Sequence, residues 1–171
     1  ITGIELEVNA FKQATENCKK SNWSNRISII YSSLQSFNSS SKFDLIISNP
    51  PFFSGSTKSE DSERNLARNT HTLPFKYLIE KSKALLDKNG KFIVIIPFAS
   101  KNKFCDLANN NLFLNKICFI KGNISSPIKR IMMEFSFTKS ELIKEELTIE
   151  VDRHQYTKAY ISLCKDFYLK M

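Results

Sequence analysis

Short apolar runs alternate along the chain with segments that carry an apolar side chain every third or fourth residue, a pattern that predicts strands interleaved with helices. Ile1 to Leu6 reads as an extended strand, and Val8 to Lys20 follows with helical spacing in Phe11, Ala14, Thr15 and Cys18. Ser21-Asn22-Trp23-Ser24-Asn25 breaks that helix, and Arg26 to Tyr31 has the β-branched character of a second strand. Ser36 to Lys42 is a polar connector, and Phe43 to Ser48 a third strand whose largely apolar make-up suits a buried parallel position. Ser54 to His71 is polar, serine-rich and without period, which predicts a long loop. Leu73 to Leu86 returns to helical spacing through Phe75, Leu78, Ile79, Ser82, Leu85 and Leu86, with Lys88-Asn89-Gly90 as its stop signal. Phe92 to Pro97 is the fourth strand and Ala99 to Asn109 a helix. Leu112 to Lys121 and Ile131 to Thr138 read as two strands of a hairpin-like unit, Leu147 to Val151 as a short edge strand, and Thr157 to Phe167 as a final helix. Such alternation predicts one α/β domain built on a parallel sheet, with ligands bound beyond the carboxyl ends of its strands.

At the end of the third strand stands Asn49-Pro50-Pro51-Phe52. Each proline ring fixes φ near −65° and removes a backbone donor, and the residue before a proline is pushed to extended geometry. The turn is therefore stiff. It offers the Asn49 side-chain oxygen and the Pro50 carbonyl as acceptors, with the flat face of Phe52 close by. A planar amine on a purine ring suits that set: one hydrogen to each acceptor, the ring stacked on Phe52, and the nitrogen lone pair turned towards an electrophile.

Composition narrows the class. The 171 residues, 42% hydrophobic, suffice for one domain with a sizeable core. No apolar run approaches the roughly 18 to 20 residues of a membrane span, and no signal-peptide pattern opens the chain, so a cytoplasmic protein with no membrane association is expected. Cys18, Cys105, Cys118 and Cys164 are scattered without a C-x-x-C pair, which predicts reduced thiols and no metal site. The net charge of +8 favours a polyanionic partner.

Asn49-Pro50-Pro51-Phe52 resembles the [DNS]-P-P-[YF] motif of amino-group methyltransferases that use S-adenosylmethionine (SAM). Gly3-Ile4-Glu5-Leu6, Gln13-Ala14, Glu16-Asn17, Ser21-x-Trp23 and Arg26-Ile27 extend the likeness, as do Phe53, Ala67-Arg68 followed by Leu73, and Asp166-Phe167-Tyr168-Leu169. In this order and spacing the whole chain resembles bacterial tRNA1(Val) adenine-37 N6-methyltransferases. The resemblance implies a Rossmann-like class I methyltransferase sheet, mostly parallel with a late antiparallel strand. It also implies methyl transfer from SAM to N6 of the adenine beside the anticodon of a tRNA; a monomer is expected.

Site roles follow as implications of the same resemblance. Asn49, Pro50 and Phe52 are the expected catalytic set, with Asn49 also facing the cofactor. Glu5 is expected to accept hydrogen bonds from the SAM ribose, with Glu7 as its competitor. Glu7, however, falls where a carboxylate suits the start of a helix. Ser33 occupies the place where many relatives have an aspartate near the cofactor adenine, and a plain turn serine is the other reading. Phe53 is expected to contact the RNA; Lys58, Arg64 and Arg68 are expected to do so by their charge in the long loop, plain solvated cations being the other reading, while His71 and His154 receive no role. In the family a first strand and a glycine-rich loop precede the strand that Ile1 to Leu6 resembles. They are absent from these 171 residues, which hold 4 glycines and no G-x-G. Ribosomal RNA guanine-N2 methyltransferases, release-factor glutamine N5-methyltransferases and an inactive RNA-binding fragment remain as alternatives. Restriction-type adenine DNA methyltransferases need a target-recognition region for which the chain has no room.

Overall fold

The structure, a computed structural model, describes residues 1–50 and 73–169 and falls into two compact units, Ile1–Ser41 and Lys42–Met171. The expected loop from Ser54 to His71 lies outside the described residues. In the first unit β1 (Thr2–Glu5) leads into α1 (Val8–Lys20), which returns the chain to β2 (Ser28–Tyr31) after one 3₁₀ turn at Ser24–Arg26. The two strands pair in parallel, with Glu5 opposite Tyr31.

The second unit contains β3 (Phe43–Ser48), α2 (Phe75–Leu85), β4 (Leu86–Pro97), α3 (Lys101–Ala108), β5 (Phe113–Asn123), β6 (Ile128–Ser136), β7 (Ile143–Asp152), β8 (Gln155–Tyr156) and α4 (Lys158–Cys164). Its sheet has the order β3-β4-β6-β5-β7-β8. Strands β3 and β4 pair in parallel, as do β5 and β7, whereas β6 runs against both of its neighbours and β8 against β7. This is the mostly parallel sheet with a late antiparallel strand that the sequence implies.

One face of this sheet holds the core. Phe92, Val94 and Ile96 of β4, Ile131, Met133 and Phe135 of β6, and Ile117 of β5 are at most 1% exposed. Leu78, Ile79 and Leu85 of α2 and Phe104 and Ala108 of α3 are buried with them. Period-two alternation puts each strand's buried residues on one side, and the 3.6-residue repeat does the same for the helices. Phe104 is the hub: its ring lies 5.0 Å from Phe75, 5.6 Å from Phe135 and 6.3 Å from Phe92.

Beyond shifts of a few residues at the ends of β6 and α4, two elements differ from the sequence reading. The stop signal Lys88-Asn89-Gly90 does not separate α2 from β4, because α2 ends at Leu85 and β4 begins at the next residue. The turn survives as a bulge. Phe43 pairs with Leu86 and Leu45 with Lys91, so the four residues 87–90 face only Asp44, and the Asp87 carboxylate accepts from Asn89 N at 3.0 Å to hold the kink. Gly90 sits where a Cβ would meet the Phe43 carbonyl and Leu86 Cδ1, both at 2.8 Å. Gly90→Ala is expected to destabilise by about 1–3 kcal/mol through this overpacking, and urea denaturation measures it.

The second difference is β7. Expected as five residues at an edge, it spans ten and lies between β5 and β8. To reach the far side of β5, the chain leaving β6 must cross the start of β5. Asn115, in a bulge there, straps the crossing: its amide donates to Ser136 Oγ and the Thr138 carbonyl, both at 2.8 Å, and its oxygen accepts from Ser140 N at 3.1 Å. The first half of β7, Ile143 to Glu146, is exposed. Lys116–Glu145 at 2.8 Å and Lys121–Glu146 at 2.9 Å tie it sideways to β5.

Candidate active site

In each unit the residues with chemical potential collect at the carboxyl ends of parallel strands. In the first unit, Ser32 N donates to the Glu5 carbonyl at 3.0 Å, which holds the ends of β1 and β2 together. The Glu5 side chain folds back over the turn into α1, where Oε1 accepts from Leu6 N at 2.8 Å and Glu7 N at 2.9 Å. Two backbone donors thus fix the carboxylate while its second oxygen keeps its lone pairs for an outside donor.

Glu7 behaves otherwise. It is the N-cap of α1, with Oε1 accepting from Asn9 N at 2.9 Å and Oε2 from Ala10 N at 2.7 Å. Both oxygens are occupied in satisfying helix-end donors. Glu7 thus takes the helix-start place that the sequence suggests for it.

Ser33 is a turn residue. Its hydroxyl donates to Ser36 Oγ at 2.9 Å and accepts from Ser36 N at 3.1 Å, and its carbonyl accepts from Phe37 N at 3.0 Å. Sequence reasoning passed over Tyr31, which ends β2 opposite Glu5, is 57% exposed and rests against the Phe11 ring at 5.5 Å. An aromatic residue placed last in a strand, directly before a Ser-Ser turn, was the available signal.

In the second unit β3 ends at Ser48, which pairs with Val94. Asn49 follows, exposed, and Pro50 is buried behind it. An exposed amide on a backbone locked by a buried proline is a presented hydrogen-bonding group. Pro51, Phe52, Phe53, Lys58, Arg64, Arg68 and His71 lie outside the described residues. His154 occupies a tight turn between β7 and β8 with φ 62°, exposed.

Other chemistries find little support among the described residues. No group of three or more His, Cys, Asp or Glu side chains is placed to hold a metal ion, and no helix is long and apolar enough to cross a membrane. The four cysteines are free thiols. Burial pushes the Cys105 and Cys118 thiols up from their ordinary range, which disfavours the nucleophilic thiolate.

A family model described as Eco57I restriction-modification methylase matches residues 3–130. The tRNA1(Val) (adenine(37)-N6)-methyltransferase of Christiangramia forsetii is 42% identical over 176 aligned residues, covering 100% of this chain and 73% of that protein. The enzyme of the same name from Flavobacterium psychrophilum is 41% identical, covering 100% of this chain and 74% of its own length. Among solved structures, a predicted O-methyltransferase from Agrobacterium tumefaciens superposes with a TM-score of 0.71 at 15% identity, over 95% of this chain and 75% of that one. At that identity the likeness concerns the fold alone.

Proposed function

The chain belongs to the tRNA1(Val) (adenine(37)-N6)-methyltransferase family, and from that membership we propose that it methylates N6 of adenine 37 in tRNA1(Val), with SAM as the donor. One observation carries the assignment to this chain's own residues: Asn49 is exposed at the carboxyl end of β3 with Pro50 buried behind it. That is where the motif shared by amino-group methyltransferases needs its acceptor. SAM, when bound, supplies an electrophilic methyl group on a sulfonium.

The protein's task is alignment. The Asn49 side-chain oxygen and the Pro50 carbonyl accept the two hydrogens of the adenine amine, which aims the nitrogen lone pair, while Phe52 stacks the base. An aromatic amine attacking a sulfonium needs orientation more than a strong base, and orientation supplies several kcal/mol of the barrier reduction. The adenine must leave its stack to reach such a turn, which an anticodon-loop nucleotide does at low cost. Glu5 fits the cofactor ribose, because its pinned carboxylate keeps one oxygen open for hydroxyl donors. Ser33, engaged in its own turn, keeps only a spare acceptor for the cofactor adenine. Lys58, Arg64 and Arg68 are assigned to the RNA by charge. The enzyme acts as a monomer in the cytoplasm, where tRNA is found.

The test is transfer of labelled methyl groups to tRNA transcripts that carry adenine or guanine at position 37. Label on the adenine transcript alone is expected. Label on the guanine transcript, or on a release factor in place of RNA, would move the assignment to the corresponding amine.

Glu5 and Glu7 give a paired prediction. Glu5→Gln keeps one oxygen for the turn but loses the open carboxylate. Loss of a hydrogen bond to a charged group is worth about 1.5–3 kcal/mol, so KM for SAM should rise about ten- to hundredfold. Glu7→Gln is expected to leave that KM within about twofold and to lower the melting temperature slightly through a weaker helix cap. Equal effects on KM would remove the assignment of Glu5 to the ribose.

A further inference from the structure

The end of β4 carries a feature that no role above uses. Beyond Pro97 the chain makes a single 3₁₀ turn, Phe98–Ser100, and enters α3 at Lys101. Phe98 is 41% exposed, yet its ring is held edge-on against Phe119 at 6.2 Å and 64°. A ring fixed along one edge and open on another is a ready stacking surface.

Three cations stand at the same end of the sheet, Lys101 at the start of α3 and Lys129 and Arg130 in β6, where alternation with buried Ile131 puts Arg130 on the face away from the core. Pro97 pairs across to Arg130 on β6, and both Lys129 and Arg130 are exposed. Neither Lys101 nor Lys129 has a carboxylate partner among the described residues. All of these groups stand at the sheet end that presents Asn49. Ser48 pairs with Val94, so Pro97 and Arg130 lie about two residues beyond the level of Asn49 and one and two strands aside, roughly 8 and 12 Å between backbones.

We propose that Phe98, Lys101, Lys129 and Arg130 form a shelf for the unpaired RNA strand flanking the target base, with Phe98 stacking a neighbouring base and the three cations contacting phosphates. This rests on the RNA-methylation reading above and adds to it the residues that hold the strand. Exposed aromatics interleaved with cations are what single-stranded nucleic acid requires, because every base has a π-face and every nucleotide a charge. The opposite end of the sheet also has lysines, around a polar pocket of about 490 Å³. There, however, Lys91 is paired with Glu134 at 3.0 Å and Lys116 with Glu145 at 2.8 Å. That pocket therefore provides the control.

The experiment measures binding of the adenine-37 tRNA transcript against salt concentration, together with steady-state methylation. Phe98→Ala is expected to weaken binding about five- to hundredfold, the range for one lost base stack, with the loss in KM for tRNA more than in kcat. Phe98→Trp should restore it. Phe98→Leu, which keeps the packing on Phe119 but lacks a stacking face, should behave like alanine. Lys129→Ala and Arg130→Ala, surface changes that leave the core alone, should each reduce the slope of log affinity against log salt by roughly 0.7. Lys88→Ala, at the far end, should change neither quantity. Wild-type activity on tRNA with unchanged Phe98, Lys129 and Arg130 variants overturns the shelf alone, as does a Lys88→Ala effect equal to theirs. Wild-type protein that methylates no tRNA overturns the parent reading and the shelf with it.

Discussion

Asn49→Ala is expected to lower kcat for tRNA methylation by about 10²–10³, the cost of removing one prepositioned hydrogen-bonding group from a reacting centre. The melting temperature should stay near wild type, because Asn49 is exposed and lies beyond the last paired residue of β3. Asn49→Asp keeps an acceptor at the same place and should retain much of the lost activity, in keeping with a motif that admits aspartate. Single-turnover methyl transfer with saturating tRNA separates this from weakened binding. An Asn49→Ala protein within about tenfold of wild type in that assay would mean that another group holds the amine.

The largest effect on stability is expected from Phe104→Ala. Phe104 is 0% exposed and touches three other phenylalanine rings, one on α2, one on β4 and one on β6. Truncation removes its transfer energy and leaves a cavity that rigid rings cannot close, for a loss of about 3–5 kcal/mol. For a domain at the low end of the usual range of about 5–15 kcal/mol, this is enough to unfold a large share of the protein at 37 °C. Phe104→Leu should lose less than half as much. Chemical denaturation of both variants is the check, and equal losses would show that the site collapses freely.

Local physics was legible in the sequence. Helix α1 and strand β3 have the bounds that spacing predicts, Val8–Lys20 and Phe43–Ser48, since each has its own periodicity and its own stop signals. The place of Asn49, exposed directly after β3, was legible for the same reason, because the strand's own apolar run sets where it ends. What failed depended on partners. The start of β7, Ile143-Lys144-Glu145-Glu146, shows no apolar alternation, because pairing with β5 and two cross-strand ion pairs stabilise it in place of a buried face. Gly90 was read as the end of a helix because the Phe43 carbonyl that demands it lies 47 residues earlier. Glu7 as the start of a helix was legible too, whereas the hold that Leu6 N and Glu7 N keep on one Glu5 oxygen was not. The shelf beside Phe98 was invisible, since nothing before the strand order is known brings Pro97 next to Arg130.

The exposed half of β7 has a consequence for self-association. Strand β8 pairs with Glu150 and Asp152, and Thr157 bonds the carbonyls of Thr148 and Ile149, so among the described residues it is the stretch from Ile143 to Leu147 whose outer edge carries no further strand. Open edges of this kind template strand-by-strand growth into aggregates. Here a further strand could dock only by dehydrating Lys144, Glu145 and Glu146, and the two glutamates are already committed to lysines of β5. The charged sequence that hid β7 from the hydropathy pattern is thus also what opposes strand addition at that edge.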